Sequence, residues 1–375
     1  GQQAAEAFQR KLEALGVKVY RHYPIADYPS NINLIVSNEG YGRNEYIETS
    51  RPIVIVTAPG PGSGKMATCL SQLYQEHKRG VNAGYAKYET FPIWNLPLKH
   101  PVNLAYEAAT ADLGDVNMID PFHMEAYGKS AINYNRDVET FPVLKTILDG
   151  VMGNSPYRSP TDMGVNTVGF CISDDAAVQE ASRREIVRRY FRVACDHLDG
   201  KVPADVVSRV DLLMKKAETS PENFLLYREV RRQADGADGP VAGIELPDGT
   251  VVTGKATGNL SAVSAAILNA IKVIAAVDGN FNPIPPETLK QVEILRTDVL
   301  GNDTKLRADE MLIALAISAK TSTESERAFS KLKKLRGCDL HGSVVLYPQD
   351  SSVLRKLGIN VTCEPVHQDR ILYRN

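Results

Sequence analysis

Apolar positions in the first half of the chain switch between a helical and an extended period. Gln2 to Leu15 sets Ala5, Phe8, Leu12 and Leu15 at spacings of three and four and stops at Gly16, which predicts an amphipathic helix. Val17 to Tyr23 and Asn33 to Val36 read as short strands, with Pro24 and Pro29 breaking the link between them. Pro52 to Thr57 is a β-branched run, Ala58 to Gly64 is almost all Gly, Pro and Ser, and Lys65 onward returns to helical spacing until Gly80. Ala83 to Phe91 is the next expected strand, with Tyr85, Lys87 and Glu89 on one face. A strand, a crossover helix and a strand predict parallel, right-handed pairing, so both strands would deliver their C-terminal ends to one sheet edge. Open α/β sheets bind ligands at that edge.

Val138 to Met152 has the pattern of a helix, and NSPYRSPTDMG after it reads as a boundary. Ser173-Asp174-Asp175 caps a long helix to His197, and Pro203 and Pro221 open helices to Ala217 and Ala234. After DGADG, two β-type runs flank Pro247-Asp248-Gly249, the strongest hairpin signal in the chain. Ser261 to Val277 is apolar on nearly every side and must be buried, in a core or a subunit contact. Further helices are expected from Pro285, over Leu306 to Lys320 and over Glu324 to Leu335. His341 to Tyr347, Ser351 to Leu357 and Ile359 to Cys363 close a strand-helix-strand unit. The resulting fold class is α/β. A parallel-sheet P-loop-like domain is expected over 1–152, a helical segment over 153–235, and a second, smaller α/β domain over 236–375 that opens with the hairpin.

Composition adds exclusions. At 375 residues the chain exceeds the roughly 250 to 300 at which one core usually splits, so two or three domains are expected. A net charge of −2 leaves no bulk footprint for nucleic acid or acidic lipid, and no run of about 18 apolar residues suggests a membrane span. The polar opening Gly1-Gln2-Gln3 lacks a secretory pattern, and 5 cysteines suit reduced thiols, which together point to the cytoplasm. Arg183, Arg184, Arg188, Arg189 and Arg192 recur at helical spacing as a solvated face or an intersubunit salt-bridge surface. That stripe and the apolar Ser261 to Val277 helix lead to the expectation of a homo-oligomer.

The candidate chemistry starts at the glycine loop. Gly60, Gly62, Ser63, Gly64 and Lys65 could aim backbone N–H groups and one cation at a phosphate, at the N-terminus of the following helix. The match to G-x-x-x-x-G-K-[ST] is incomplete: Pro59 stands at the first glycine and Met66 at the Ser/Thr, and a thioether is no magnesium ligand. The alternative is a turn that only lets the helix pack on its strand. A second cluster, Asn117 to Asp137, crowds Asp120, His123, Glu125, Tyr134, Asn135, Arg136 and Asp137 around Pro121 and Gly128. Asp120 and His123 could hold a metal or act as base and orienter, or pin a loop through hydrogen bonds. Cys338, His341, Cys363 and His367 form a superficial two-Cys, two-His set, but no knuckle turn surrounds either pair and zinc is not expected. No G-x-S-x-G or H-E-x-x-H motif occurs.

The runs LIVSNEGYGRNEYIETSRPIVIVTAPGPGSGKMATCLSQLYQEHKRG, YETFPIWNLPLKHPVNLAYEAATADL, MIDPFHMEAYGKSAINYNRD, IELPDGTVVTGK and LGINVTCEP resemble the bacterial DUF1846, or UPF0371, family along essentially the whole chain. The resemblance implies an oligomeric cytoplasmic α/β protein, an additional N-terminal segment ahead of the first helix, and no particular reaction. The peptidase label attached to some members finds no protease constellation here. Two functions stay open. One is a P-loop-like kinase or ATP-dependent synthetase of a small polar metabolite. In it Lys65, Asp120, His123 and Arg136 are catalytic, Gly60 to Lys65 hold ATP or another phosphate-bearing ligand with Mg²⁺, and Glu89, Trp94, Tyr134 and Asn135 line the substrate. The other is a noncatalytic oligomeric anion-binding or structural protein.

Overall fold

The computed structural model describes residues 2–60, 62–88, 92–166 and 168–368. It divides into two compact units, Gly1–Asn103 with Asp115–Ser173, and Leu104–Gly114 with Asp174–Asn375. The first carries helices α1 (Gln2–Ala14), α2 (Ile32–Ile35) and α3 (Lys65–Lys78) and strand β1 (Lys87–Tyr88). Helix α4 (Pro101–Ala109) runs from the first unit into residues that count with the second. The first unit resumes with β2 (Asn117–Ile119), α5 (Pro121–Tyr127), β3 (Ile132–Tyr134), α6 (Asn135–Met152), α7 (Pro160–Met163) and β4 (Gly164–Val165).

This unit is mixed α/β, but its sheets are small. β1 pairs with β4 in parallel and β2 with β3 antiparallel. The expected strand over Pro52 to Thr57 is irregular chain, with Ile53, Val54 and Ile55 at 80%, 52% and 86% exposure. A β-branched run becomes a strand only where another strand takes its hydrogen bonds, and among the described residues none does so here. Val17 to Tyr23 is likewise irregular, and Asn33 to Val36 falls largely in α2. Of Ala83 to Phe91 only Lys87–Tyr88 is strand, with 89–91 outside the described residues. The core of the unit is helical instead: Leu70, Leu73 and Tyr74 of α3 meet Phe141, Leu144, Ile147 and Leu148 of α6, with Ile35 and Tyr41 between. Amides on α3 take up the loose backbone. Gln72 exchanges hydrogen bonds with Ile47 N–H (3.1 Å) and C=O (3.0 Å), while Gln75 donates to the carbonyls of Tyr41 and Asn44, both at 3.1 Å.

The second unit contains α8 (Asp175–Leu198), α9 (Ala204–Lys216), α10 (Leu225–Asp235), β5 (Val241–Glu245), β6 (Val251–Lys255), α11 (Ala262–Ala275), α12 (Pro286–Ile294), α13 (Ala308–Ser318), α14 (Thr323–Phe329), β7 (Asp339–Gly342), α15 (Pro348–Leu357) and β8 (Asn360–Cys363). Helices α8 to α10 thus belong to the same unit as the C-terminal sheet. They do not form the separate 153–235 segment, because their apolar stripes are buried on that sheet and on residues 104–111. The hairpin forms where its turn residues require it: Leu246 N–H reaches Thr250 O at 2.8 Å, Thr250 N–H reaches the Asp248 carboxylate, and Gly249 takes φ 85°. Strand order is β6-β5-β7-β8, with β7 and β8 parallel and the other pairs antiparallel.

Both faces of this sheet are covered, and the alternation along β5 shows how. Ala242 and Ile244 enter the core shared with α11, α13, α14 and α15, whereas Val241 joins the core of α8 to α10. The nearly all-apolar α11 is consumed there, lying so close to β6 that a Cβ on Gly254 would sit 2.1 Å from Ala266 N. Apart from Arg192, which is exposed, the arginine stripe is not a solvated face: Arg183 donates to Ala217 O at 3.1 Å. Arg184 bonds Glu245 (2.6 Å) and Asp339 (3.2 Å), Arg188 bonds Asp339 (2.7 Å), and Arg189 bonds Asp112 (2.7 Å). Glu245 and Asp339 stand opposite one another in the sheet register and turn their charge toward α8, which fixes the helix by ion pairing.

Further along the same face, His341 is fully buried between Phe191 and Tyr227, with ring centroids at 4.6 and 4.8 Å. Its Nδ1 faces Thr362 Oγ1 at 2.9 Å and its Nε2 faces Glu364 at 3.3 Å, and Glu364 also accepts from Arg231 at 2.6 Å. Burial pushes the His341 pKa below its ordinary 6.5 despite Glu364, so the folded state holds it neutral. Burial opposes charge on Glu364, but hydrogen bonds from His341 and Arg231 outweigh it and hold that carboxyl below 4.5. The stability that neutral His341 contributes is complete above the unfolded value of 6.5 and is lost as pH falls below it. Between 6.5 and 4.5 the melting temperature should therefore fall on acidification. His341→Gln should flatten that limb of a pH-resolved thermal melt, while an unchanged slope would show that another group sets it.

Candidate functional site

The 60–65 loop ends in a helix start that no side chain caps. Gly64 at the N-cap has φ 87°, a conformation that an L side chain resists, and among the described residues Thr68 N–H is the first to find a carbonyl one turn back, that of Gly64 at 2.9 Å. Among the described residues the amides of Met66 and Ala67 find no carbonyl one turn back and are left to point out of the helix end. Gly62 also takes positive φ, at 71°. The loop closes on itself: Lys65 Nζ donates to Gly60 O at 2.9 Å, Gly60 N–H donates to Ser63 Oγ at 3.2 Å, and Ser63 Oγ donates back to Gly60 O. Lys65 is half-buried and Met66 exposed.

Asp120 and His123 sit together, one beginning α5 and the other inside it. Asp120 has no exposed surface, and both of its oxygens are taken. Oδ1 accepts the N–H groups of Phe122 and His123 at 3.0 Å, and Oδ2 accepts Thr161 Oγ1 at 2.6 Å and Thr161 N–H at 3.3 Å. The sequence explains the local form, since Asp120 is the N-cap, Pro121 fits the first turn and Gly128 closes the helix. His123 Nδ1 lies 3.1 Å from Ser159 Oγ and 3.8 Å from Asp162. Because serine and carboxylate share one ring nitrogen, the three do not form a hydrolase triad, which needs them on opposite nitrogens. Trp94 packs edge-on against His123 at 6.2 Å and donates to Asn166 O at 2.7 Å. Tyr127 packs against His123 in a tilted pair at 4.7 Å; desolvation and its hydrogen bond to Asp162 hold its phenol above the ordinary range.

The remaining expected residues gather around β3 and the start of α6. Lys87 reaches both Tyr134 OH and the Asp137 carboxylate. Arg136 makes a two-pronged pair with buried Asp115, Nε to Oδ1 at 2.6 Å and Nη2 to Oδ2 at 2.8 Å. Asn135 exchanges hydrogen bonds with the Val116 backbone at 2.9 and 3.0 Å and so closes the β2–β3 pair. Glu89 lies outside the described residues. Three groups result: the glycine loop, His123 with Asp120 and Trp94, and Tyr134 with Asn135 and Arg136. Among the described residues no hydrogen bond, ion pair or ring contact joins the loop to the other two, although Phe122 of α5 and Leu70 of α3 share one core.

Sequence reasoning missed Ser159, Thr161 and Asp162, which complete the His123 environment from 36 to 41 residues away in the chain. Ser159-Pro160-Thr161-Asp162 is a capping box and could have been read as one, but nothing local says which loop it faces. Cys338, His341, Cys363 and His367 are not gathered in one place by hydrogen bonds: His341 serves Thr362 and Glu364, and Cys363 faces Cys195. Since Asp120 caps one helix and clamps the next, Asp120→Ala should cost about 3 kcal/mol in a denaturant titration. Asp120→Asn keeps the acceptor for the α5 amides, loses the Thr161 side, and should cost roughly half as much. Equal, negligible losses in both variants would remove Asp120 from this structural role.

The chain matches the model described as domain of unknown function DUF1846, N-terminal, over residues 1–218, and its C-terminal counterpart over residues 222–373. It is 52% identical over 375 residues to a UPF0371 protein of Streptococcus thermophilus, covering 100% of this chain and 76% of that relative. A UPF0371 protein of Streptococcus pyogenes is 50% identical over 374 residues, with 100% and 76% covered. One of Corynebacterium efficiens is 51% identical over 371 residues, with 99% and 75% covered. The chain therefore belongs to the DUF1846/UPF0371 family.

Proposed function

We propose that the chain is a P-loop-like protein that binds a phosphate ester at residues 60–65, as a kinase or ATP-dependent synthetase of a small polar metabolite. The observation that carries this reading is the uncapped start of α3. A 14-residue helix presents the outward amides of Met66 and Ala67, unpaired among the described residues, next to a loop whose glycines leave room for a ligand, with Lys65 beside it. Gly60, Gly62 and Gly64 have nothing within 4 Å of where a side chain would stand. Lys65 Nζ would exchange Gly60 O for a phosphate oxygen. Mg²⁺ would be held through the nucleotide's own phosphates and Ser63, since Met66 supplies no oxygen ligand. His123, with Trp94 and Tyr127 around it, and Arg136 are the groups nearest in kind to a second-substrate site.

A noncatalytic oligomeric reading is favoured by one further observation. Ile313 and Ile317, one turn apart on α13, are 63% and 62% exposed, as a subunit contact would require. Light scattering in the cytoplasmic range of salt and pH should then give a multiple of 41.1 kDa, reduced by Ile317→Lys. A monomer at micromolar concentration would sink it.

Thermal melts with inorganic phosphate, ADP and ATP, with and without Mg²⁺, test the phosphate site. Ligand at about 100 times its dissociation constant should add about 2.7 kcal/mol to the native state. Lys65→Ala should abolish the shift while leaving the ligand-free melt nearly unchanged, because a half-exposed loop lysine contributes little to folding. Absence of any anion-dependent shift, or an equal shift in Lys65→Ala, would overturn the proposal.

A further inference from the structure

Outside the site just described, the second unit brings two cysteines face to face. Cys195 lies on α8 and Cys363 is the last residue of β8, 168 positions further on. Their Sγ atoms are 3.5 Å apart, and Cys195 Sγ also lies 3.4 Å from Cys363 O. Neither residue is sealed from solvent, whereas Cys338 is buried and Cys69 and Cys171 belong to the other unit. A disulfide has its sulfurs about 2.05 Å apart, so side-chain rotations that bring the sulfurs roughly 1.5 Å closer would bond this pair. We propose that Cys195 and Cys363 are a peroxide-sensitive thiol pair that oxidises to an intramolecular disulfide tying α8 to the end of β8.

The chemistry runs in two steps that balance. The Cys363 thiolate attacks one oxygen of a hydroperoxide; the O–O bond breaks, the leaving oxygen takes the proton that the thiol gave up, and Cys363 becomes a sulfenic acid with release of water or an alcohol. Cys195 then gives up its proton and attacks the Cys363 sulfur, an S–S bond forms, and the sulfenic oxygen leaves as water. Two thiols lose two electrons in all, and the peroxide gains them. The assignment of roles follows the geometry: Cys195 Sγ donates toward Cys363 O and lies against Cys363 Sγ. The hydrogen bond between the sulfurs therefore leaves Cys363 as acceptor, lowering it against the opposing effect of burial, while the same bond together with burial holds the Cys195 thiol well above its ordinary range. Cys363 is therefore the attacking sulfur and Cys195 the resolving one. Next to the pair, Glu364 holds Arg231 and His341, so the bond would form at the edge of the buried polar layer described above.

The test uses the full chain, treated with hydrogen peroxide, denatured, alkylated and digested. The number of alkylatable thiols should drop by two from five, and a Cys195–Cys363 linked peptide should appear and vanish on reduction with dithiothreitol. In Cys195→Ser, trapping with dimedone should place the sulfenic acid on Cys363; Cys363→Ser should give neither the linked peptide nor a sulfenic acid at Cys195. Because the linked peptide is read on the wild-type chain, the result does not depend on either variant folding. Both thiols still free after oxidation, or Cys363 joined instead to Cys171 or to a second molecule, would overturn the proposal.

Discussion

Backbone hydrogen bonding decides this fold more than apolar patterning does. A strand needs a neighbour to take its N–H and C=O groups, and wherever one exists the chain is regular. β5 runs between β6 and β7, is bonded on both edges, and is buried on both faces. Around it the second unit assembles two cores, one with α11 and one with α8 to α10. Ile53 to Ile55 has equal β propensity and no such neighbour among the described residues, and it lies exposed as irregular chain. In the first unit the same need is met differently: side-chain amides of Gln72 and Gln75 take the backbone groups that a sheet would otherwise pair.

The two faces of the C-terminal sheet differ in chemistry. Toward α11 the packing is mostly apolar, with Asn269 Nδ2 donating to Thr253 O at 2.9 Å, and tight enough that β6 tolerates only glycine at position 254. Toward α8 and α10 the sheet presents Glu245, Asp339, His341 and Thr362, each met by an arginine, an aromatic ring or a hydrogen-bonding partner. Such a buried polar layer is costly to leave half satisfied, so it fixes the register between helices and strands. It also accounts for the arginine spacing on α8. The same helical period that would suit a solvated face serves here to reach carboxylates two strands apart in sequence.

In the first unit, polar residues divide into those that hold loops and those that stay available. Asp120 is wholly engaged in capping and clamping, and Asn135 closes the β2–β3 pair, so both act on the fold before any ligand. Among the described residues Lys65 and Ser63 bond only to Gly60, in their own loop. His123 is held by Ser159 and Asp162 through one nitrogen, in a cage of Trp94 and Tyr127. A hydrogen-bonded frame around one histidine and an open helix end are different arrangements, and Phe122 and Leu70 from their two helices share one core.

By itself the sequence determined what short-range rules govern. Asp120, Pro121 and Gly128 bound α5, Pro247-Asp248-Gly249 turns the hairpin, and the uniform apolarity of 261–277 demands burial, because caps, turns and burial depend on residues a few positions apart. The glycine loop and the crowd at 117–137 were legible as candidate sites for the same reason. Only the tertiary structure decided which β-branched runs pair, that Ser159 and Asp162 come to His123, that Asp115 takes Arg136, and that Arg184 and Arg188 turn inward to Glu245 and Asp339. These outcomes depend on partners tens to more than a hundred positions away, and nothing in a residue's own neighbourhood encodes which distant partner will meet it. Cys195 and Cys363 are the clearest case: each reads as an ordinary thiol until α8 is laid against β8.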